Sequence, residues 1–134
     1  MYSTEIKLRV RYGETDRMGY VYYGNYAEYF EVARVEMLRS LGFSYKILED
    51  EGIMLPVHLY SVKYIKPIYY DDEIVIKVTI KKMPISRIEF FYEVLNDKQE
   101  LTTLAETTLV FVDRSTARPC QAPEDFAEVL GKFF

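Results

Sequence analysis

The most regular hydrophobic pattern in this chain of 134 residues lies in its first third. Five apolar positions are spaced by four, three, four and four residues: Tyr26, Phe30, Ala33, Met37 and Leu41. Residues at this spacing share one face of an α-helix, so the pattern predicts a helix of about 16 residues that packs against a core. Asn25 is placed to cap its start in a capping box with Glu28, and Gly42 is placed to end it. A shorter helix is predicted over residues 44–51.

Most of the remaining chain alternates apolar and polar residues, which is typical of half-buried β-strands. The extended segments are residues 4–12, 55–65, 73–83, 87–95 and 101–112. A turn is predicted at residues 96–98, and Pro123 followed by two acids predicts a short terminal helix. One strand, a long helix and about four further strands predict an α+β domain, with an antiparallel sheet of about five strands against the helix. Such a sheet leaves its second face and its edges exposed, so we expect at least a dimer.

The composition is that of one folded domain over residues 1–134, with 49% apolar and 28% charged residues. A net charge of −4 argues against nucleic acid or an anionic membrane as a partner. The chain has no apolar run of about 18 residues and no hydrophobic signal core, so we expect no membrane span and a cytoplasmic protein. A single cysteine, Cys120, and a single histidine, His58, leave no cluster of metal ligands, and no metal is expected.

The candidate chemistry lies in residues 14–26, ETDRMGYVYYGNY, where one acid, Asp16, stands among glycines and tyrosines. An aspartate in a turn commonly does no more than accept backbone N–H groups, and that interpretation stays open. The alternative follows from spacing, because Asp16 precedes the predicted helix by about nine residues and its loop can fold back over the helix N-terminus. The unpaired N–H groups there would polarise a carbonyl oxygen, and Gly19 and Gly24 would let backbone approach closely. One carboxylate and one such donor suffice for acyl transfer.

Other arrangements for acyl transfer have little support in the chain. A Ser-His or Cys-His pair would have to use His58, and no G-x-S-x-G stretch is present. No glycine-rich phosphate loop is found either. These absences leave Asp16 as the leading candidate.

The motif T-D-x-x-G-x-V-Y-Y-x-N-Y, at residues 15–26, resembles the opening of the 4-hydroxybenzoyl-CoA thioesterase family, particularly its bacterial acyl-CoA thioesterase branch. The later segments VKYIKPIYYDDEIVIKV, SRIEFFYEV and LVFVD are similar to the same family, so the resemblance covers roughly residues 5 to 125. It implies the hotdog fold, an antiparallel sheet wrapped around one long helix. It also implies homodimers, or homotetramers built from two dimers, with sites at subunit interfaces.

The resemblance implies that the protein hydrolyses an acyl-CoA to a carboxylic acid and free CoA. Asp16 would be the catalytic carboxylate, and the backbone N–H of Tyr23 would bind the thioester oxygen. Coenzyme A would enter only as part of the substrate, with no other cofactor. Many members of the acyl-CoA branch have histidine where this chain has Tyr23, which bears on the substrate class more than on the reaction. Substrate contacts are expected at seven positions: Gly19, Val21, Tyr22, Asn25, Tyr26, Lys63 and Arg87.

Several alternatives stay open beside this assignment. Asp16 would act either as a general base or as a nucleophile. Glu31, which is also placed to pair with Arg34 on the helix, is the second choice of acid. The rival functions are a thioesterase for acyl carrier protein, a hotdog dehydratase that would need His58, and a non-catalytic acyl-CoA-binding protein.

Overall fold

A five-stranded antiparallel sheet and one long helix dominate the computed structural model, which describes all 134 residues. The helices are α1 (Tyr26–Ser40), α2 (Tyr45–Asp50) and α3 (Glu124–Gly131). The strands are β1 (Tyr2–Arg9), β2 (Ile53–Met54), β3 (Val57–Tyr64), β4 (Glu73–Ile80), β5 (Arg87–Leu95), β6 (Leu101–Val110), β7 (Val112–Asp113) and β8 (Arg118–Pro119). The large sheet has the order β1-β4-β5-β6-β3, and a small sheet has the order β2-β7-β8. The predicted α+β class and five-stranded antiparallel sheet are confirmed.

Helix α1 buries the face that the sequence pattern predicts. The five residues of the stripe are all at most 7% exposed. Gly42 follows the helix with φ of +88°, in the left-handed region that favours glycine. There the Gly42 N–H donates to Arg39 O and the Phe43 N–H donates to Leu38 O, both at 2.9 Å. These two bonds are the Schellman motif, so the predicted glycine stop is confirmed.

The cap predicted for the other end of α1 is wrong. A short 3₁₀ turn, Tyr23–Asn25, runs directly into the helix, and Asn25 already has helical angles of φ −78° and ψ −17°. A capping residue needs an extended backbone to present its side chain to the amides ahead of it. Asn25 instead donates its Nδ2 to the carbonyl oxygen of Glu14 at 3.0 Å, and the box with Glu28 does not form.

The core lies between α1 and the two central strands of the sheet. The inward residues of β4 and β5 are all at most 1% exposed: Ile74, Ile76, Val78, Ile80, Ile88, Phe90, Tyr92 and Val94. Antiparallel register sets Ile76 beside Val94 and Val78 beside Tyr92, so the two apolar rows meet on one face. The Phe30 ring of α1 lies 4.5 Å from the Tyr92 ring, between centroids. The alternation predicted for both strands is confirmed.

Strand β1 is shorter at its C-terminal end than the sequence predicts. It leaves the sheet after Arg9, whereas alternation continued to Tyr12. Val10 is buried, but its N–H and C=O pair with Asp72 and Asp71 in the loop before β4. Tyr12 is 75% exposed in a second 3₁₀ turn, Tyr12–Glu14, so the predicted extension of the strand to residue 12 is wrong.

The remaining predicted elements are present with small shifts of boundary. Ser44 caps α2 by accepting the Ile47 N–H at 3.1 Å. The Asn96 side chain closes the turn between β5 and β6 by accepting the Lys98 N–H at 2.9 Å. Pro123 stands one residue before α3. No helix is long and apolar enough to cross a membrane.

Strand β3 forms one edge of the large sheet and pairs only with β6. Seven of its eight residues are exposed, among them Val57, Leu59, Tyr60 and Tyr64. An apolar strand with a free edge readily pairs with another strand. This is the exposed edge that the sequence predicts.

Candidate active site

The loop between β1 and α1 folds into a tight hairpin with Asp16 at the start of its turn. Thr15 and Val21 form the bridge at its base, and the Asp16 N–H donates to Tyr20 O at 2.9 Å. The Gly19 N–H closes the turn on Asp16 O at 3.0 Å, and Gly19 has φ of +90°. A residue with a Cβ is strained at that angle, so glycine fits this position.

The hairpin is fastened to the segment that connects β3 to β4. Tyr20 forms an antiparallel bridge with Tyr69, and the Val21 N–H donates to Ile68 O at 2.8 Å. Val21 and Ile68 are both buried, so these bonds are shielded from water. The loop from one end of the chain is thereby held beside the C-terminal end of β3.

A cleft of about 340 Å³ lies between the hairpin, α1 and the end of β3. The loop side of the cleft is formed by Asp16, Met18, Tyr20, Val21 and Tyr23. The opposite side is formed by Tyr26 of α1 and by residues 64–67, which follow one another at the end of β3. Seven of its ten lining residues are hydrophobic. The cleft is therefore an apolar and aromatic hollow with a carboxylate on one wall.

Asp16 has one carboxylate oxygen that is bonded within the turn and one that is not. Its Oδ1 accepts the Met18 N–H at 2.8 Å, which is the ordinary role of an aspartate in a turn. Its other carboxylate oxygen, Oδ2, has no hydrogen-bond partner in the chain. The side chain is half-buried and lines the cleft. One oxygen thus fixes the carboxylate, and the second is available for chemistry.

The 3₁₀ turn that leads into α1 reaches the same cleft through Tyr23. The Asn25 N–H donates to Tyr22 O at 2.9 Å, whereas the N–H groups of Tyr23 and Gly24 donate to no acceptor in the chain. The Tyr22 ring packs on the Tyr23 ring at 4.6 Å, and a Cβ at Gly24 would lie 2.7 Å from that Tyr22 ring. Glycine at position 24 therefore leaves room for the aromatic pair. Two unpaired amides at a helix N-terminus are suited to hold an oxyanion.

Tyrosines set the electrostatics of the inner cleft. Tyr26 is almost fully buried, and its ring meets the Tyr64 ring edge to face at 5.1 Å. Burial raises the pKa of both phenols, so both stay neutral at physiological pH. Lys66 is the one cation on the cleft wall, and its ammonium contacts the Glu100 carboxylate. That contact lowers the pKa of Glu100.

Of the residues predicted to form the site, four line the cleft: Asp16, Val21, Tyr23 and Tyr26. Gly19, Tyr22 and Asn25 lie in the same loop and shape its turns without lining the cleft. Lys63 is exposed and lines a separate hollow with Lys81 and Phe91. Arg87 is exposed at the start of β5 and does not reach the cleft.

The other acid–base candidates lie apart from Asp16 within the chain. His58 is exposed in β3, six residues before Tyr64, so about 20 Å of strand separates it from the cleft. Glu31 is exposed on α1 and does not line the cleft. The predicted pair of Glu31 with Arg34 is wrong, because Arg34 is buried and its Nε donates to the Tyr45 hydroxyl at 2.7 Å.

Sequence reasoning missed part of the cleft wall, namely Met18, Tyr64, Ile65 and Pro67. It considers Tyr20 for the acyl pocket and Lys66 for the CoA phosphates without assigning either. It also missed Glu14, the acid at the base of the hairpin. The burial of Glu14 follows from its bonds to a distant helix residue, which no local pattern shows. For Lys66, the signal is its positive charge, which suits the phosphates of coenzyme A.

Comparison with known proteins identifies a family to which the chain is similar. A model described as the Thioesterase-like superfamily matches residues 10–130. A putative acyl-CoA thioesterase, YneP of Bacillus subtilis, is 31% identical over 128 residues, covering 96% of this chain and 93% of the relative. The acyl-CoA thioester hydrolase YbgC of Escherichia coli O157:H7 is 33% identical over 117 residues, covering 87% of each chain.

The solved structures agree with the sequence comparison. A DHNA-CoA thioesterase from Staphylococcus aureus superimposes with a TM-score of 0.94 at 37% identity, covering 99% of this chain and 91% of that one. A protein from Aquifex aeolicus superimposes with a TM-score of 0.84 at 31% identity, covering 94% and 98%. The family expected from residues 15–26 is confirmed, and the chain belongs to the Thioesterase-like superfamily, with the hotdog fold of its members.

Proposed function

We propose that the protein hydrolyses an acyl-CoA thioester to a carboxylic acid and free CoA, with Asp16 as the catalytic carboxylate. The family and the acyl-CoA thioesterases among its relatives support a thioester hydrolase. The observation that carries the assignment is that Asp16 and Tyr23, which begins the 3₁₀ turn leading into α1, line one cleft. A carboxylate and a residue whose N–H has no acceptor in the chain therefore both border this cleft.

In the proposed reaction, the thioester carbonyl oxygen accepts the Tyr23 N–H. Negative charge develops on this oxygen as the tetrahedral intermediate forms, so a fixed donor stabilises the transition state more than the substrate. The loss of one such donor typically costs about 3–4 kcal/mol of transition-state stabilisation. The donor is a backbone group, so the tyrosine side chain at position 23 does not alter it.

Asp16 has two chemical routes to the product. As a general base, its carboxylate takes a proton from water while the water oxygen adds to the carbonyl carbon. The C–S bond then breaks and the CoA sulfur leaves with that proton. As a nucleophile, the carboxylate itself adds and expels CoA thiolate, and water hydrolyses the resulting mixed anhydride. Oδ2 has no partner in the chain, so it serves either route.

The acyl group would lie against Tyr26 and Tyr64 in the aromatic part of the cleft. Their pKa values are raised by burial, so the phenols present no charge to an apolar acyl group. Lys66, on the cleft wall, is better placed than Lys63 or Arg87 of the same chain to meet the anionic CoA portion. Basic residues of a second copy would complete the CoA site, because the edge strand β3 ends at the cleft.

The test is thiol release from short, long and aromatic acyl-CoA esters by the wild-type protein and Asp16→Asn. Asparagine keeps the acceptor for the Met18 N–H, so the turn survives while the charge is lost. We expect a loss of about a hundredfold or more in kcat/KM. Asp113→Asn is the matched control, since Asp113 also accepts an N–H two residues ahead, that of Ser115, at 2.8 Å and lies outside the cleft.

Three results would contradict the proposal. Equal rates for wild type and Asp16→Asn would remove Asp16 from the mechanism. Release from acyl carrier protein with little release from CoA esters would replace the substrate class. Binding of CoA esters without turnover would leave a binding protein, in which Asp16→Asn has no effect.

A further inference from the structure

Glu14 is the one carboxylate of the chain that is buried, with 8% of its surface exposed. It lies two residues before Asp16, at the end of the 3₁₀ turn Tyr12–Glu14. Burial of a carboxylate destabilises the folded state unless hydrogen bonds compensate for its lost hydration. The hydrogen-bond partners of Glu14 therefore indicate which parts of the structure it holds together.

The carboxylate of Glu14 joins the outgoing side of the loop, at Arg11, to the long helix, at Tyr29. Its Oε1 accepts the Arg11 N–H at 2.8 Å and the Tyr29 hydroxyl at 2.9 Å. Its Oε2 accepts from the Arg11 guanidinium at 3.0 and 3.2 Å. Tyr29 is buried on α1, so this bond reaches one turn into the helix from the loop.

The backbone of Glu14 bonds to the returning part of the same loop. Its carbonyl oxygen accepts the Tyr22 N–H at 2.9 Å and the Asn25 Nδ2 at 3.0 Å. Tyr22 directly precedes the first unpaired amide, and Asn25 is the last residue of the 3₁₀ turn. One residue therefore holds the strand that leads to Asp16, the turn that carries the amides, and the helix behind them.

We propose that Glu14 is a positioning residue that sets the separation between the Asp16 carboxylate and the amides of Tyr23 and Gly24. This inference rests on the proposed function, since the separation matters for catalysis only if a thioester is held between them. Glu14 does not line the cleft and so acts through the groups that it holds. A displacement of about 1 Å between reacting groups can lower a rate by about a hundredfold.

The Arg11 guanidinium is 79% exposed, so the ion pair itself contributes little to the stability of the fold. The Tyr29 hydroxyl and the Arg11 amide are shielded, and they are the bonds that fix the carboxylate in direction. Glu14→Gln retains an oxygen for these two donors, whereas Glu14→Ala retains none. Comparison of the activities of these two variants separates the effect of losing the hydrogen bonds that orient the side chain from the effect of losing its charge.

The experiment measures kcat and KM for the preferred ester in wild type, Glu14→Gln, Glu14→Ala and Tyr29→Phe. Amide hydrogen exchange over residues 14–25 is followed in the same proteins without substrate. We expect Glu14→Ala to lower kcat about tenfold or more and to change KM by less than about threefold, with faster exchange in the loop. Glu14→Gln should fall between Glu14→Ala and wild type. The double variant Glu14→Ala/Tyr29→Phe is measured beside them, and in it Tyr29→Phe should add nothing further to Glu14→Ala, since both remove the same bond.

Glu36→Gln is the matched control, because Glu36 makes an exposed pair with Arg39 at the same i,i+3 spacing. It should leave both kcat and loop exchange unchanged. Unchanged exchange and kcat in folded Glu14→Ala would overturn the proposal, as would a change confined to KM. Absence of thiol release by wild type would refute the proposed function separately, and hydrogen exchange would still decide whether Glu14 holds the loop.

Discussion

Glu14 and Asp16 are two residues apart, and their carboxylates have different surroundings. Both oxygens of Glu14 are bound, to Arg11 and Tyr29, and the side chain is buried. Asp16 has one bound oxygen and faces the cleft. At the scale of the residue, the two side chains carry the same carboxylate group and differ in their hydrogen-bond partners. The proposed roles follow from this difference, with Glu14 ordering the backbone and Asp16 reacting with the thioester.

The bonds of Glu14 predict a pH dependence of stability. Burial alone would raise the pKa of Glu14, but the Arg11 amide, the Tyr29 hydroxyl and the Arg11 guanidinium hold it below its usual value of 4.5. Because the folded pKa is the lower one, the ionised group stabilises the fold above pH 4.5, and this contribution is lost as pH falls through the folded pKa. We expect the free energy of unfolding of wild type to fall more steeply below pH 4.5 than that of Glu14→Gln.

Urea unfolding followed by circular dichroism in steps of pH measures this difference. Two parallel curves below pH 4.5 would show that the folded and unfolded states bind the Glu14 proton equally, contrary to the prediction.

At the scale of the element, periodic segments were predictable and their ends less so. The apolar stripe of α1 and the alternation of β4 and β5 predicted these three elements, because each element buries one face only. The end of β1 was not predictable, since Val10 satisfies its backbone with Asp71 and Asp72, which lie about sixty residues away. The role of Asn25 was not predictable either, because its side chain donates to the carbonyl oxygen of Glu14 and does not cap the helix.

The end of α1 gives a prediction about stability. Gly42 has φ of +88° in the Schellman motif, so Gly42→Ala places a Cβ in the left-handed region. We expect a loss of about 1–2 kcal/mol in the free energy of unfolding, measured by urea denaturation. Gly13→Ala is the control, because Gly13 has no positive φ and a Cβ there meets no atom within 4 Å. Equal losses in both variants would mean that the backbone angle at Gly42 is not the cause.

The candidate site was predictable only where it is local in sequence. Asp16, Val21, Tyr23 and Tyr26 lie within one loop and one turn of helix, and all four line the cleft. Tyr64 and its successors reach the cleft because Tyr20 pairs with Tyr69 across the fold. A contact made by such distant pairing leaves no periodic trace in the sequence.

At the scale of the whole molecule, the exposed edge predicts assembly. We propose that two copies pair through their β3 strands, which would bury Leu59, now 45% exposed. Leu59→Lys puts a charge on that edge, so we expect sedimentation to show a dimer for wild type and monomers for the variant. Ile85→Lys, at a position 71% exposed in the turn between β4 and β5, should remain dimeric. A wild type that sediments as a monomer at every concentration would contradict the prediction.

Strand β3 ends at Tyr64, the first of the four consecutive residues, 64–67, that help to form one side of the cleft. A shift of the strand would therefore also move the cleft residues against which the acyl group would lie. Under the proposed function, the same backbone segment takes part in association and borders the substrate. Dilution that separates the copies should therefore also reduce specific activity. Variants chosen to solubilise the edge would need their kinetics measured again.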